Sequence, residues 1–479
     1  MLNCSIKTTK HFPMHFILDR NATTPLVQQL SNHLQAWIER QRLRPGARVP
    51  SIRSLAQELG VSASCVIEAY DRLVASGWLE ARHGAGFFVA ERRPGLQRDD
   101  VAAWGEAVDG SWRQFREGHD EWLKLGCGWL PAAWRPSNEL AQAVRQVSRG
   151  NPQDLFDYCP PLGLASLRLQ LHKRLAQLEI AAGPERILTT HGASHGLDLL
   201  VRALLEPGDT VLVESPGYYN LYNLLREHGV RMLEVPRTPT GPCLARLEQL
   251  LAEHRPRCLF VNSLYHNPTG TSLTAKVAYR LLELAREHDL RIIEDDIYAD
   301  FQDGPATRLA TLDSEQRVVY MASFSKTLSS SLRVGYLVAD DALVARLAQL
   351  KMVSGIGTSR FAEQVVGQML ASGTYRKSVQ RLRTRLGQSM ARLLGQLEGL
   401  GWEVFCEPYG GMFVWARVRG QDFASLERLA QAHSVLLTPG SAFDPEGRPS
   451  DWLRINVAYA QDHRAQAFLR QAGLSAGAD

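Results

Sequence analysis

The stretch "VVYMASFSKTLSSSLRVGY" (residues 318–336) joins an apolar, β-prone run to a loop crowded with hydroxyl groups. Five serines surround one lysine, Lys326, and Arg333 follows seven residues further on. A deprotonated lysine amine is a strong nucleophile toward an aldehyde and can form a Schiff base. Ser323, Ser325 and Arg333 supply hydroxyls and a guanidinium, which bind phosphate. A lysine after a strand is usually just solvated, but these neighbours favour a functional loop.

The chain on either side of this loop alternates β-rich runs with helical ones. The runs "RILTT", "DTVLVE", "RCLFVN" and "RIIEDD" are short and apolar, and helical segments such as "AYRLLELAREHD" separate them. This alternation predicts an α/β domain around a mostly parallel sheet. Ligands bind at the carboxyl ends of the strands in such sheets. The chemically suggestive residues of this chain fall at those ends.

Four of these residues have side chains suited to an aromatic, anionic ligand. Asp295 ends a hydrophobic strand, where a buried carboxylate needs a cationic partner such as a protonated pyridine nitrogen. Asn267, in "YHNPTG", can donate to a phenolic oxygen, and Tyr218, in "ESPGYY", offers a flat face for stacking. Arg454 lies inside the otherwise apolar strand "WLRINVAYA", where it should meet an anion such as a substrate carboxylate.

The segment "THGASHGLDLL" adds a predicted helix start, where Gly192, Ala193 and Ser194 leave backbone N–H groups free to hold a phosphate. Together, and in this order, the motifs resemble those of fold-type I aminotransferases over residues 126–475. That resemblance implies a mostly parallel large domain with a small α/β domain, and a covalent bond between Lys326 and pyridoxal 5'-phosphate (PLP).

The resemblance also implies a role for each cofactor-binding residue. Asp295 would pair with the pyridine nitrogen, Asn267 and Tyr298 would bond the ring oxygen, Tyr218 would stack on the ring, and Ala193, Ser194, Ser323, Ser325 and Arg333 would hold the phosphate. Arg454 would bind a substrate α-carboxylate. The segment "DYCPPLGLASLR" would send Tyr158 across a dimer interface to the neighbour's phosphate, which implies a homodimer.

Two departures from the family pattern affect this site. The phosphate loop usually has glutamine where Ser194 and His195 stand, but Ser194 can still donate, so PLP binding is expected to survive. The usual Gly-x-Pro-Asp segment, which lines the substrate pocket, appears here as "GCGWLP". Cys127 and Trp129 there could alter the pocket or simply pack, so the identity of the substrate stays open.

A separate module is predicted at residues 20–92. Leu26, Leu30 and Leu34 recur at helical spacing, and two short helices follow, each with a serine N-cap, Ser51 and Ser62. Two short helices across a turn that contains Gly indicate a helix-turn-helix, and the β-prone runs around "GAG" (residues 84–86) add a hairpin, or wing. Up to Arg93 the chain has twelve Lys/Arg against seven Asp/Glu, a net +5, whereas the whole chain carries +4. A chance excess of surface arginine or a polyanion partner would explain this.

This module resembles the winged-helix domain of GntR-type transcription regulators, which implies double-stranded operator DNA as its partner. The second short helix would enter the major groove. The DNA-binding residues would be Ser62, Ala63, Ser64 and Cys65 at the bases, Ser51 and Arg53 near the backbone, and Arg82 and His83 in the wing. The family often has long polar side chains after the capping serine, and Ala63, Ser64 and Cys65 are short, so phosphate contacts should dominate affinity. The alternative is a winged helix used only for protein contact.

Bulk properties limit the remaining classes. No run of about 18 apolar residues predicts a transmembrane helix, and the first residues lack a secretory pattern, so no membrane association is expected. The seven cysteines include no CxxC pair, so neither a zinc site nor a disulfide framework is indicated, and a reducing cytoplasm fits. Residues 93–125 mix charges, Gly and Trp without a period and are predicted to be a linker.

A GntR-type winged helix fused to an aminotransferase-like domain is the arrangement of MocR-type regulators, which the whole chain resembles. The leading hypothesis is a bacterial transcription regulator that senses PLP, or an amine or amino-acid effector that reacts with PLP. A second hypothesis is a working aminotransferase (transaminase) with a vestigial or autoregulatory DNA module. A third is a binding protein that kept the fold without PLP.

Overall fold

The computed structural model describes residues 18–20, 22, 24–91 and 121–474. The chain divides into two compact units, Met1–Ala107 and Val108–Asp479. Most of the predicted linker, residues 93–120, lies outside the described residues. Its last part is described: Leu123 and Leu125 are buried, and the Leu123 amide donates to the carbonyl of Ser434, 2.9 Å away. These residues therefore pack with the second unit.

The described residues of the first unit form three helices and a two-stranded hairpin: α1 (Leu26–Arg40), α2 (Ile52–Leu59), α3 (Ala63–Ala75), β1 (Leu79–Arg82) and β2 (Gly86–Val89). Both predicted serine N-caps are present, because the hydroxyls of Ser51 and Ser62 accept from the amides of Ser54 and Cys65, each at 3.2 Å. Gly60 ends α2 at φ 64°, a left-handed conformation that glycine adopts without strain. This is a winged helix-turn-helix.

In the second unit, helices separate most of the strands between residues 187 and 323, and runs of consecutive helices lie on either side of that part of the chain. The α-helices are Ser137–Ser148, Gln153–Phe156, Ala165–Gln177, Gly192–Leu204, Tyr219–Glu227, Leu244–Glu253, Ala275–Glu287, Leu309–Leu312, Asp341–Gly355, Arg360–Ala371, Thr374–Gly399, Phe423–Ala432 and His463–Leu474. Short 3₁₀ helices are Ala132–Trp134, Pro184–Arg186, Ala299–Phe301 and Gly440–Phe443. The strands are β3 (Ile187–Thr190), β4 (Thr210–Ser215), β5 (Arg231–Thr238), β6 (Gly241–Pro242), β7 (Cys258–Asn262), β8 (Arg291–Asp295), β9 (Val318–Ser323), β10 (Gly335–Val338), β11 (Glu403–Val404), β12 (Phe413–Arg417) and β13 (Leu453–Asn456).

The large sheet has eight strands in the order β3-β10-β9-β8-β7-β4-β5-β6. The pairs from β9 through β8, β7 and β4 to β5 are parallel, which confirms the mostly parallel sheet. β10 is antiparallel to both β3 and β9, and the loop after β9 turns back into it. Because β7, β8 and β9 are adjacent and parallel, the residues that follow them meet at one edge of the sheet.

A smaller sheet, β11-β12-β13, is antiparallel and packs in one apolar cluster with the helices Thr374–Gly399, Phe423–Ala432 and His463–Leu474. It is the small α/β domain, and β13 carries Arg454. Among the described residues, no helix combines the length and the apolar character that crossing a membrane requires.

Candidate functional site

Lys326 lies in the loop after β9, and its Nζ donates to the carbonyl oxygen of Gly128, 2.7 Å away. Burial, and then the positive charge of Arg454, lowers the pKa of Lys326 to about 8, while the negative charge of Asp295 opposes that shift. A lysine with a lowered pKa has a larger fraction of nucleophilic free amine near neutral pH. The environment of Lys326 therefore suits attack on a carbonyl carbon.

Asp295 is the last residue of β8, and its Oδ1 accepts from the amide of Ile297 at 3.1 Å. Burial raises the pKa of Asp295 to about 7, although the Ile297 hydrogen bond and Lys326 lower it. Among the described residues, no cationic side chain forms an ion pair with Asp295. A buried carboxylate in this state favours a ligand that brings a positive charge.

The predicted phosphate-binding residues come together at the start of the helix Gly192–Leu204. Arg333 donates to the carbonyl of His191 at 3.1 Å and to Ser325 Oγ at 3.3 Å, and Ser323 Oγ lies 3.0 Å from Ser325 Oγ. Gly192 has φ +73°, and a Cβ there would lie 2.6 Å from the Arg333 guanidinium. The Arg333 side chain could move away from such a Cβ, but the left-handed φ itself favours glycine at this position.

Ala193 and Ser194 occupy the first turn of the same helix, as the sequence predicts. At the departure from the family pattern, His195 Nδ1 accepts a hydrogen bond from the backbone N–H of His191 at 3.1 Å. Burial lowers the pKa of His195 to about 4, so the imidazole is neutral at physiological pH. His195 therefore supplies no positive charge to a phosphate. The phosphate would be held by hydrogen bonds from Ser194 and the N–H groups of the helix start, and by the charge of Arg333.

Two tyrosines border the site from different elements. Tyr218 precedes the helix Tyr219–Glu227, and burial raises its pKa to about 12, against a hydrogen bond with Ser194 that lowers it. Tyr298 is buried, its ring is 5.8 Å from that of Phe413, and burial also raises its pKa. Both phenols stay protonated at neutral pH and can donate hydrogen bonds.

Arg454 is 2% exposed and reaches the site from β13. Its guanidinium donates to Asn267 Oδ1 at 2.7 Å and to the carbonyl of Gly126 at 2.7 Å, and it lies 4.7 Å from the ring centroids of both Phe413 and Phe443. Within the described ranges, Arg454 has no carboxylate partner. Its charge is therefore available to an anionic ligand.

A cavity at this edge of the sheet is lined by Tyr218, Asn267, Asp295, Leu197 and Ile297, among others. A buried carboxylate without a cation, a lysine with a lowered pKa and a cradle that a Cβ would fill are the features that PLP requires of its site. The residues present therefore fit PLP. Tyr158 is not among the residues that line this cavity in its own chain, and its side chain is 77% exposed.

Sequence reasoning did not assign a role to Gly128. A Cβ built on Gly128 would lie 3.5 Å from Lys326 Nζ and 3.7 Å from the terminal nitrogens of Arg454, so this glycine borders both groups. Its sequence signal was the pair of glycines in "GCGWLP". Of the residues left open there, Cys127 is fully buried, and Trp129 receives a hydrogen bond at its carbonyl from Asn456, 2.9 Å away.

The predicted DNA-binding residues lie at two places in the first unit. Ala63 and Ser64 are exposed in the first turn of α3, Ser51 and Arg53 are exposed at the start of α2, and Cys65 is partly buried against the core of this unit. In the wing, His83 is exposed in the turn. Arg82 pairs with Glu80 and stacks 4.4 Å from the centroid of Phe88, so its charge is partly satisfied within the wing.

Comparison with known proteins assigns both units to families. The family described as "Aminotransferase class I and II" matches residues 120–470, and "Bacterial regulatory proteins, gntR family" matches residues 26–89. The probable rhizopine catabolism regulatory protein MocR of Rhizobium meliloti is 28% identical, over 88% of each chain. The 2-aminoadipate transaminase of Thermus thermophilus is 33% identical, over 69% of this chain and 84% of its own.

The solved structures extend the likeness to three dimensions. LysN, the alpha-aminoadipate aminotransferase of Thermus thermophilus complexed with N-(5'-phosphopyridoxyl)-L-leucine, superposes with a TM-score of 0.69 at 28% identity, covering 78% of this chain and 98% of its own. The multiple substrate aminotransferase of Thermococcus profundus has a TM-score of 0.70 over 79% of this chain and 98% of its own; at 23% identity it supports the fold alone.

The architecture and these matches are those of an aminotransferase-type PLP domain carried on the same chain as a winged helix-turn-helix. The chain belongs to the class I and II aminotransferase family and, within it, to the MocR-type transcription regulators that carry a GntR domain.

Proposed function

We propose that this transcription regulator holds PLP at Lys326 and responds to an amine or amino acid that reacts there. The observation that carries the proposal is the convergence of Lys326, Asp295 and Arg454 at one edge of the sheet, with a reactive amine, an uncompensated carboxylate and an uncompensated guanidinium. The winged helix would turn this response into a change in DNA binding. An ordinary metabolic enzyme has no use for a DNA-binding unit.

The residue roles in this proposal follow the side chains described above. Asp295 holds the pyridine nitrogen in its protonated form. Asn267 and Tyr298 donate to the ring oxygen, and Tyr218 stacks on the ring. Ala193, Ser194, Ser323, Ser325 and Arg333 hold the phosphate. The Asn267 role is supported by the orientation of its amide, because Oδ1 accepts from Arg454 and Nδ2 is left to donate.

PLP, when bound, supplies an aldehyde that links to Lys326 and a ring that withdraws electrons. With PLP bound, an amine that replaced Lys326 would release the lysine Nζ as a free amine within reach of the Gly128 carbonyl, and Arg454 would bind the carboxylate of an amino acid. We infer that these two changes shift the equilibrium between conformations that bind operator DNA with different affinity.

The test is a DNA-binding titration with the full chain and genomic fragments that the protein itself selects. PLP alone, and PLP with a panel of amines and amino acids, should change the DNA dissociation constant, and Lys326→Ala should abolish the response while leaving the binding of DNA itself. If neither PLP nor any amine changes DNA affinity, the sensing function is wrong.

A working aminotransferase is the second candidate, favoured by the presence of a lysine, a ring-nitrogen carboxylate and a carboxylate-binding arginine in one site. Steady conversion of an amino donor and a keto acid at roughly 1 s⁻¹ or more, lost in Lys326→Ala, would support it. Turnover that stops after one equivalent per site would favour the regulator.

A homodimer is the proposed assembly, with Tyr158 reaching the partner's phosphate. Support comes from six large apolar side chains on two neighbouring segments of the second unit: Leu155 (44% exposed), Phe156 (83%), Tyr158 (77%), Met352 (51%), Val353 (83%) and Ile356 (50%). Exposed apolar surface of this kind marks interfaces. Light scattering should give twice the mass of the chain, and Val353→Glu should shift it toward the monomer. The proposed location is the cytoplasm, where operator DNA is.

A further inference from the structure

A second polar cavity lies between the helices Ala165–Gln177 and Thr374–Gly399 and shares no lining residue with the cavity at Asp295. Its volume is about 400 Å³, within the range of small-molecule sites, and an adjoining cavity of about 270 Å³ shares Arg174, Gln177 and Arg383 with it. Residues 376, 380 and 383 are spaced four and three apart, so they lie on one helix face toward the cavity.

The charged side chains that line this cavity are strongly biased to one sign. Lys173, Arg174, Arg376 and Arg383 are cationic, and Asp300 is the one acid among the lining residues. The remaining polar lining comes from amides that can donate hydrogen bonds: Gln170, Gln177 and Gln380. The cavity therefore presents an excess of positive charge and donors to whatever enters it.

Most of these cations are not paired within the described ranges. Arg174 pairs with Asp300, which satisfies the only acid. Lys173 and Arg376 form no ion pair or hydrogen bond there. Arg383 uses Nε to donate to the carbonyl of Asp300 at 2.7 Å, which leaves its two terminal nitrogens free. Like charges that face one cavity repel each other, so an anion bound between them is favoured.

The cavity is connected to the loop of Lys326 by a short series of buried side chains. Asp300 accepts hydrogen bonds from Arg174 on one side and from the Tyr375 hydroxyl on the other. The Tyr375 hydroxyl lies 2.6 Å from Oγ1 of Thr327, which is buried and directly follows Lys326. An anion that attracts Arg174 would weaken the hydrogen bond from Arg174 to Asp300. The Tyr375 hydroxyl, which donates to Asp300, would then shift and change its hydrogen bond with Thr327.

We propose that this second cavity binds a small molecule bearing a phosphate group, and that its occupancy alters Lys326 through Asp300, Tyr375 and Thr327. A phosphate monoester has close to two negative charges and three acceptor oxygens, which matches the three free cations Lys173, Arg376 and Arg383 better than a single carboxylate does. The concave shape favours a small molecule over the extended backbone of DNA. The effect on Lys326 rests on the function proposed above, whereas the binding does not.

The first experiment is calorimetric titration of inorganic phosphate and glycerol 3-phosphate into the PLP-saturated full chain, in which PLP occupies the cradle at Arg333. Both ligands should bind saturably, and acetate should not. The double variant Arg376→Gln/Arg383→Gln should bind about tenfold or more weakly, since each charged hydrogen bond contributes substantially. The matched variant Lys377→Gln/Arg392→Gln, which removes two charges from the same helix outside the cavity, should bind as the wild type does.

Gln177→Glu provides a second variant that keeps all the arginines, and its new negative charge should also weaken phosphate binding. Absence of saturable binding, or an equal loss in the two double variants, would overturn the proposal. The proposal would also be wrong if the wild type bound no phosphate and Arg376→Gln/Arg383→Gln lost affinity for DNA. In that case these arginines would bind the phosphates of the DNA backbone.

Coupling to Lys326 is tested with the visible absorbance of bound PLP as a function of pH. Phosphate should shift this profile in the wild type but not in Tyr375→Phe, which should still bind phosphate. An unchanged profile in the wild type would overturn the coupling. If no visible band forms at all, the PLP function itself fails, and phosphate binding by Arg333→Gln without PLP then decides the second cavity separately.

Discussion

Lys326 Nζ donates to the carbonyl of Gly128, across 198 residues of sequence, and Gly128 in turn lies beside the guanidinium of Arg454. A residue without a side chain thus borders both the Lys326 amine and the guanidinium of Arg454, for which we propose a carboxylate-binding role. The space above Gly128 is where an amino acid would place its α-carbon if it reacts at Lys326 and is held by Arg454.

Gly128→Ala should leave the fold and PLP binding intact but weaken amino-acid binding. The added Cβ makes ordinary contacts at 3.5 Å and 3.7 Å with Lys326 and Arg454, yet it enters the space for the ligand. Forcing an extra methyl group into a packed site costs about 1–3 kcal/mol, and here we expect the loss in the free energy of amino-acid binding. Titration of amino acids, followed by the visible absorbance of bound PLP, measures the effect. Gly126→Ala is the contrast: its Cβ would lie 2.3 Å from the Thr438 amide nitrogen, so thermal unfolding should occur at lower temperature.

Arg454→Gln should discriminate between amino acids and simple amines. The variant removes the charge that would pair with a carboxylate, and such a loss typically costs about 2–5 kcal/mol of binding free energy. An amine that lacks a carboxylate should bind as it does to the wild type. Absorbance titrations with an amino acid and its decarboxylated amine give both values, and Arg417→Gln, which removes an arginine from β12, is the control. Equal losses for both ligands would refute the carboxylate role.

Asp295 should make the stability of the PLP-free protein depend on pH. Burial raises its pKa to about 7 from an ordinary value of 3.8, so the folded state binds the proton more tightly than the unfolded state does. The buried Asp295 carboxylate therefore lowers the free energy of unfolding above about pH 7, where it is ionised. This loss of stability disappears as the pH falls from about 7 toward 4, because the folded protein then holds Asp295 in its protonated form. Asp295→Asn should lack this slope. Denaturant titrations of wild type and variant between pH 8 and about 4.5 test it, with exposed Asp451→Asn as the control.

Glu80→Gln should strengthen binding to DNA. The Glu80 carboxylate pairs with Arg82 in the wing, and its removal frees a guanidinium for a phosphate. The logarithm of the binding constant falls as the logarithm of the salt concentration rises, and one additional phosphate contact makes this negative slope steeper by about 0.9. Fluorescence anisotropy at several salt concentrations gives the slope. Glu58→Gln, the same charge change on α2, should leave it closer to the wild-type value; an unchanged slope in Glu80→Gln would mean that Arg82 does not reach DNA.

Much of the fold could be predicted because it depends on neighbours in sequence. The serine caps of α2 and α3, the turn at Gly60 and the alternation of apolar strands with helices are local features. The antiparallel strand β10 was not predicted, because four apolar residues after a serine-rich loop do not show which strands they will pair with. The neutral state of His195 likewise depends on burial that no local pattern shows.

Both families, the order of the PLP motifs and the candidate roles of Lys326, Asp295 and Arg454 could be predicted from local sequence, because each stands in a short pattern with its own chemistry. Three relationships became visible only in the folded chain: Gly128 borders both Lys326 and Arg454, Asn267 Oδ1 accepts from Arg454, and Tyr375 contacts Thr327. The hydrogen bonds among these contacts join residues that are 48 to 198 positions apart. They form when sheet order and helix packing place distant segments together, and no local propensity encodes them.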